Sequence, residues 1–167
     1  MNIFKIVVVQ KKNYAVYSKI KISANDAILT LQGVPVSEPS KYTIQNAKDK
    51  HLSPFSNNIK DEMSVWQFLN HSCNANSYFD FHRMQLIALS NIPSGKEICF
   101  NYCTTEYDIV APFRCECGSS NCYGEIKGLK YLTKEEIKKL QEFLAPHLKN
   151  TMHETLSRSE NRVTINL

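Results

Sequence analysis

Residues 68 to 76 read FLNHSCNAN. An apolar pair gives way to small, polar, hydrogen-bonding side chains, with one thiol, Cys73, in the middle. A lone thiol in such a stretch asks for a partner. A second segment answers it, because FRCECGSSNCYG (113–124) places Cys115, Cys117 and Cys122 within a few residues around Gly118. A loop of that size is too small for an apolar core, so a metal is the natural organiser. Tetrahedral zinc takes four thiolate or imidazole ligands. Three are here, and the candidates for the fourth are Cys73, Cys99, Cys103, His71 and His82.

The rest of the chain bounds the setting. At 167 residues it is long enough for one domain with a real core. The net charge of +4 is spread through the chain, which favours solubility and argues against nucleic acid as a direct ligand. No apolar run approaches the roughly 20 residues of a membrane span. The opening MNIFKIVVVQ reads as a first strand, not a signal peptide. The expectation is an intracellular protein, in the cytoplasm or, in a eukaryotic or host setting, the nucleus. Its six cysteines are then reduced thiols or metal ligands in preference to disulfides.

Short β-branched or aromatic runs recur between turns. They predict strands over 3–10, 14–18, 27–31, 41–45, 78–81, 84–90 and 97–102, a mainly-β pattern. Residues 61–69 predict a helical turn or two. After Leu132, Thr133 and Glu136 form a capping box. Ile137, Leu140 and Leu144 then share one face of a helix that Pro146 ends or bends. That helix packs on the domain or on a second copy, so monomer and homodimer are both open.

Three segments in order carry a family likeness: QFLNHSCNAN (67–76), GKEICFNY (95–102) and the cysteine segment from Cys115 to Gly124. Together they resemble the SET-domain family of protein-lysine methyltransferases. The resemblance implies a mainly-β SET (β-clip) fold with a C-terminal segment threaded under the NHSC loop. It divides the chain into a SET domain (1–110, with a variable insert at 37–65), a post-SET zinc segment (111–130), a C-terminal helix (131–149) and a polar tail (150–167). It implies S-adenosylmethionine and zinc as cofactors and makes Cys73 the fourth ligand beside Cys115, Cys117 and Cys122. It implies methyl transfer to the ε-amine of a lysine in a protein or peptide, histone or non-histone.

Site residues follow from the same likeness. Tyr102 matches the catalytic tyrosine, and Phe100 matches the position that limits how many methyl groups fit; Phe there favours di- or trimethylation. Tyr42, in the stretch 37–52 that resembles one wall of the family's peptide groove, is a further active-site candidate. Asn70 and His71 match the pair against the cofactor. Near the N-terminus, Asn13-Tyr14-Ala15-Val16 stands where the family has a Gly-x-Gly motif, which makes Tyr14, Ala15 and Val16 cofactor candidates although both glycines are missing. Glu116 and Ile126 are candidates on the adenine side by position. The competing expectation is a SET-fold binding module without catalytic activity.

Overall fold

The computed structural model describes residues 3–10, 13–58 and 61–151. Most of the expected polar tail therefore lies outside the described residues. The chain is mainly β, in short strands, as the runs between turns predict. β1 (Phe4–Gln10) and β2 (Asn13–Ser18) pair antiparallel, with Val7 opposite Ala15. The far edge of β2 is also used: the Ile98 N–H donates to the Val16 carbonyl at 2.8 Å and the Ser18 N–H to the Lys96 carbonyl at 3.0 Å. Both neighbouring residues Ala15 and Val16 are completely buried, so β2 is covered on both faces rather than alternating.

After β3 (Ala27–Thr30), a three-stranded sheet forms from β4 (Val34–Val36), β5 (Ile44–Ala47) and β6 (Lys50–Ser53), in the order β4-β6-β5. Of its strands β5 and β6 fall within residues 37–65, and β4 lies just before them. The predicted strand at 41–45 starts later, at Ile44, because Ser40 and Thr43 close a local turn: the Ser40 N–H donates to Thr43 Oγ1 at 2.9 Å. A 3₁₀ helix, Glu62–Phe68, follows; its Asp61 cap accepts from the Met63 N–H at 3.0 Å.

The principal sheet has the order β3-β9-β8-β10-β7. It adds β7 (Asn70–His71), β8 (Ser77–Asp80), β9 (Gln85–Ala88) and β10 (Cys99–Phe100). β10 runs parallel to both neighbours, with Phe100 opposite His71 on one side and Ser77 on the other. β7 and β8 are joined by the loop 72–76, so β10 passes between two strands that this loop connects. The loop grips what it encircles. Asn76 Nδ2 donates to the Glu97 carbonyl at 2.8 Å, its Oδ1 accepts from the Cys99 N–H at 3.0 Å, and Ser77 Oγ donates to the Cys99 carbonyl at 2.9 Å. Threaded connections are rare, and the side-chain clasp explains how this one is held.

The predicted strand at 97–102 is shorter than expected. Asn101 turns the chain, its Oδ1 accepting from the Cys103 N–H at 3.0 Å, and Tyr102–Thr104 forms a 3₁₀ turn. β11 (Phe113–Arg114) and β12 (Glu125–Ile126) then pair antiparallel and close the cysteine loop. The expected capping box is present at α1 (Lys134–Leu140). This helix stops earlier than predicted. The Ala145 N–H is diverted to the Thr104 carbonyl at 2.8 Å, and Pro146 opens a new helical segment instead of ending the first.

Two apolar clusters result. One joins Phe4, Val16, Trp66, Phe68, Leu86 and Phe100; the other joins Cys73, Cys103, Ile126, Leu129, Leu140 and Leu148. Tyr102 packs against both. No helix among the described residues is long and apolar enough to cross a membrane.

Candidate functional site

The threaded strand delivers Tyr102 to the NHSC segment. The Tyr102 hydroxyl donates to the Leu69 carbonyl at 2.7 Å, and its backbone N–H donates to His71 Nδ1 at 3.1 Å. Because Nδ1 accepts, the ring proton of His71 sits on Nε2, which lies 3.2 Å from Cys73 Sγ. Burial holds His71 down to about 4, so the ring is neutral at pH 7. Burial pushes the Tyr102 phenol well above its ordinary range, with the charge of Glu106 adding to it. Tyr102 is therefore a neutral hydrogen-bond donor with a fixed direction.

Two recesses meet at this tyrosine. One is lined by Tyr42, Trp66, Leu69, Phe100, Tyr102 and Glu106. The other is lined by Tyr14, Tyr42, Phe68, Asn70 and Tyr102. Tyr42, Leu69 and Tyr102 belong to both. The Phe100 and Tyr102 rings lie 4.8 Å apart, and Phe100 stands edge-on to Phe79 at 4.9 Å. Phe100 and Tyr102 thus share a face as expected, although Tyr102 is in a turn and not on the strand.

The second recess contains part of the expected cofactor set. The Tyr14 ring packs on Phe68 at 4.8 Å. Asn70 Nδ2 donates both to the Tyr14 carbonyl at 3.0 Å and to Glu97 Oε1 at 2.9 Å, tying β7 to β2. Ala15, Val16 and Ile126 have no exposed surface and do not line this recess; Ile126 packs in the apolar cluster beneath the cysteine loop. Glu116 is exposed on the cysteine loop.

Cys73, Cys115, Cys117 and Cys122 converge, with all four sulfurs within 4.8 Å of one another. Cys73 Sγ lies 3.9 Å from the sulfurs of Cys115 and of Cys122. Four thiolates around zinc at the usual bond length stand about 3.8 Å apart, so the donor set fits the metal. Burial and the neighbouring Cys115 push the Cys73 thiol upward, so a buried thiolate here needs a cation beside it. His82, Cys99 and Cys103 stay outside this group. The loop also reaches the tyrosine: the ring of Phe113 lies 5.9 Å from His71 and 6.0 Å from Tyr102. Phe113, Glu106, Trp66 and Leu69 had no signal of their own in the sequence. The nearest hint for Phe113 is its place two residues before the first clustered cysteine.

Comparison with known proteins agrees with this geometry. The SET domain family model matches residues 7–103. A histone-lysine N-methyltransferase, H3 lysine-36 specific, from Chaetomium globosum is 31% identical over 140 residues, which is 74% of this chain and 15% of that protein. Methyltransferase flvH of Aspergillus flavus is 35% identical over 92 residues, 54% of this chain and 51% of that protein. The chain thus spans at most about half the length of these relatives. Among solved structures, KRYPTONITE in complex with mCHG DNA and SAH superposes with a TM-score of 0.58 at 22% identity, covering 73% of this chain and 28% of that one. The methyltransferase domain of human histone-lysine N-methyltransferase SETMAR gives 0.55 at 17% identity, covering 75% and 58%. These two likenesses are of fold.

Proposed function

The chain belongs to the SET-domain family, and from that premise we propose that it transfers methyl groups from S-adenosylmethionine to the ε-amine of a lysine in a protein or peptide. The observation that carries this reading is the meeting of two recesses at Tyr102, one for a donor and one for an acceptor. When bound, S-adenosylmethionine supplies a methyl group on a positively charged sulfur. Tyr14, Phe68 and Asn70 would hold it on their side of Tyr102.

The protein's share is alignment and desolvation. A lysine in water has a pKa near 10.4, so at pH 7 roughly one in two thousand is the free amine. Trp66, Leu69, Phe100 and Tyr42 make the acceptor recess largely apolar, which disfavours the ammonium. Tyr102, pinned by Leu69 and His71, presents a fixed hydroxyl where the two recesses join. Phe100 carries no hydroxyl to crowd an amine that already bears a methyl group, which supports di- or trimethylation.

The four-cysteine zinc site would be structural, with no open position. It would hold Phe113 against His71 and Tyr102. The substrate is a lysine-bearing protein, histone or not, and the similarity to histone methyltransferases supports a place inside the cell, nuclear or cytoplasmic. Incubation with labelled S-adenosylmethionine and a cell lysate, followed by mass spectrometry, tests the reading. Methyl-lysine in a lysate protein is the expected result. Cofactor binding by calorimetry without any transfer would sink the enzyme and leave the binding module.

A further inference from the structure

Glu106 is the only carboxylate lining the acceptor recess among the described residues, and no step above uses it. It follows the turn that begins at Tyr102, with its backbone N–H donating to the Tyr102 carbonyl at 2.9 Å. Its Oε1 accepts from the Gln45 backbone N–H at 2.7 Å and from Thr105 Oγ1 at 3.2 Å. Gln45 is itself locked, because its Oε1 accepts from the Tyr107 N–H at 3.0 Å and its Nε2 donates to the Ala47 carbonyl at 3.2 Å. The carboxylate is held from the insert sheet and cannot swing away. Its second oxygen, Oε2, has no hydrogen-bond partner among the described residues. A carboxylate fixed through one oxygen and open at the other, in a largely apolar recess, is suited to meet a cation.

We propose that Glu106 receives the substrate ammonium in the acceptor recess and takes its proton, so that the free amine passes on to Tyr102. An N–H bond of the ammonium breaks, an O–H bond forms on Oε2, and the proton later leaves to water; no electrons change hands. This rests on the methyltransferase reading. The charges around Glu106 fit the role. Lys41, the one basic residue lining the recess, lies over the Tyr42 ring at 4.7 Å from its centre. Behind the carboxylate stand His51, opposite Gln45 in the insert sheet, and His147, whose Nε2 lies 3.0 Å from the Thr105 carbonyl. Burial lowers both imidazoles, so neither brings a competing positive charge. Asp108 and Lys130 pair with each other on the surface. Burial raises Glu106 itself to about 7, which narrows its gap to an amine.

The test uses the whole chain with glutamate labelled at the side-chain carboxyl carbon, the Glu106 signal being the one that E106Q removes. The carboxyl is titrated alone, with n-butylammonium chloride, with sodium chloride at equal ionic strength, and with n-butanol. The expected result is a midpoint that falls by at least about one pH unit with the ammonium and stays put with the salt or the alcohol. A midpoint unmoved by n-butylammonium, or moved as far by sodium chloride, overturns the role of Glu106. A parallel assay with labelled S-adenosylmethionine and lysate separates the two readings. A chain that transfers methyl groups while the Glu106 midpoint ignores the amine refutes this inference alone. A chain that neither binds the cofactor nor transfers methyl groups refutes the methyltransferase reading.

Discussion

The Tyr102 hydroxyl donates to the Leu69 carbonyl at 2.7 Å, across the gap between the threaded segment and the segment that leads into β7. One side chain thereby joins a residue of the acceptor recess to the strand that carries Asn70 and His71. Removing only that oxygen, in Tyr102→Phe, leaves the ring packed and the Leu69 carbonyl unpaired. The expected stability cost is about 1–2 kcal/mol in urea unfolding. Loss of a fixed hydroxyl oxygen at the point of transfer, whose lone pairs stay free while its proton goes to Leu69, should reduce methylation on the order of 100-fold or more, read with labelled cofactor. Wild-type rates in the variant would show that the hydroxyl has no part in the chemistry.

Asn76 makes a second prediction, about threading. Its amide holds both the Glu97 carbonyl and the Cys99 N–H of the encircled segment. Asn76→Ala frees two backbone groups at once and should lower unfolding stability by about 2 kcal/mol. Tyr102 depends on β10 for its position, so transfer activity should fall as well, although Asn76 lines neither recess. Unchanged urea midpoints would show that the loop does not need this clasp.

The zinc site yields a third expectation. Cys73→Ser should lower bound zinc well below one ion per chain by metal analysis, because it removes a ligand. Cys103→Ala is the control: Cys103 is completely buried near the cluster but outside it, so that variant should lose about 1 kcal/mol and keep the metal. Chelation of the wild-type zinc should abolish transfer while the far-ultraviolet signal of the β core persists. Activity that survives full metal loss would detach the cysteine loop from the reaction.

What the sequence made legible divides by range. Thr133 and Glu136 are three residues apart and bond each other, so the capping box could be read directly. The convergence of Cys73 on Cys115 spans 42 positions, and only the family likeness singled it out among five candidate ligands. β7, β10, β11 and β12 are two residues long each, too short for a period, and exist through pairing with distant partners. The early end of α1 has the same origin, a bond from Ala145 back to Thr104 that no local preference encodes. Glu106 was invisible for this reason too. An acid beside Tyr107 in the sequence is unremarkable until Gln45, 61 positions away, fixes it in the recess.

Glu106 also makes stability depend on pH. Burial raises its folded-state value to about 7, above the 4.5 of an ordinary glutamate. Between those values the folded chain holds a proton that the unfolded chain has lost, so unfolding releases a proton in that window and none below or above it. Stability from this group is therefore fully present below about 4.5, declines as pH rises towards 7, and is level beyond. E106Q keeps an oxygen for the Gln45 N–H and has nothing to titrate. The thermal midpoint of the wild type should thus fall relative to E106Q between pH 4.5 and 7, and the difference should be constant above that range. Other titrating groups are common to both chains and cancel in the difference. Parallel profiles for the two proteins across that window would mean that the Glu106 carboxyl titrates like one in water, and that the recess does not shield it.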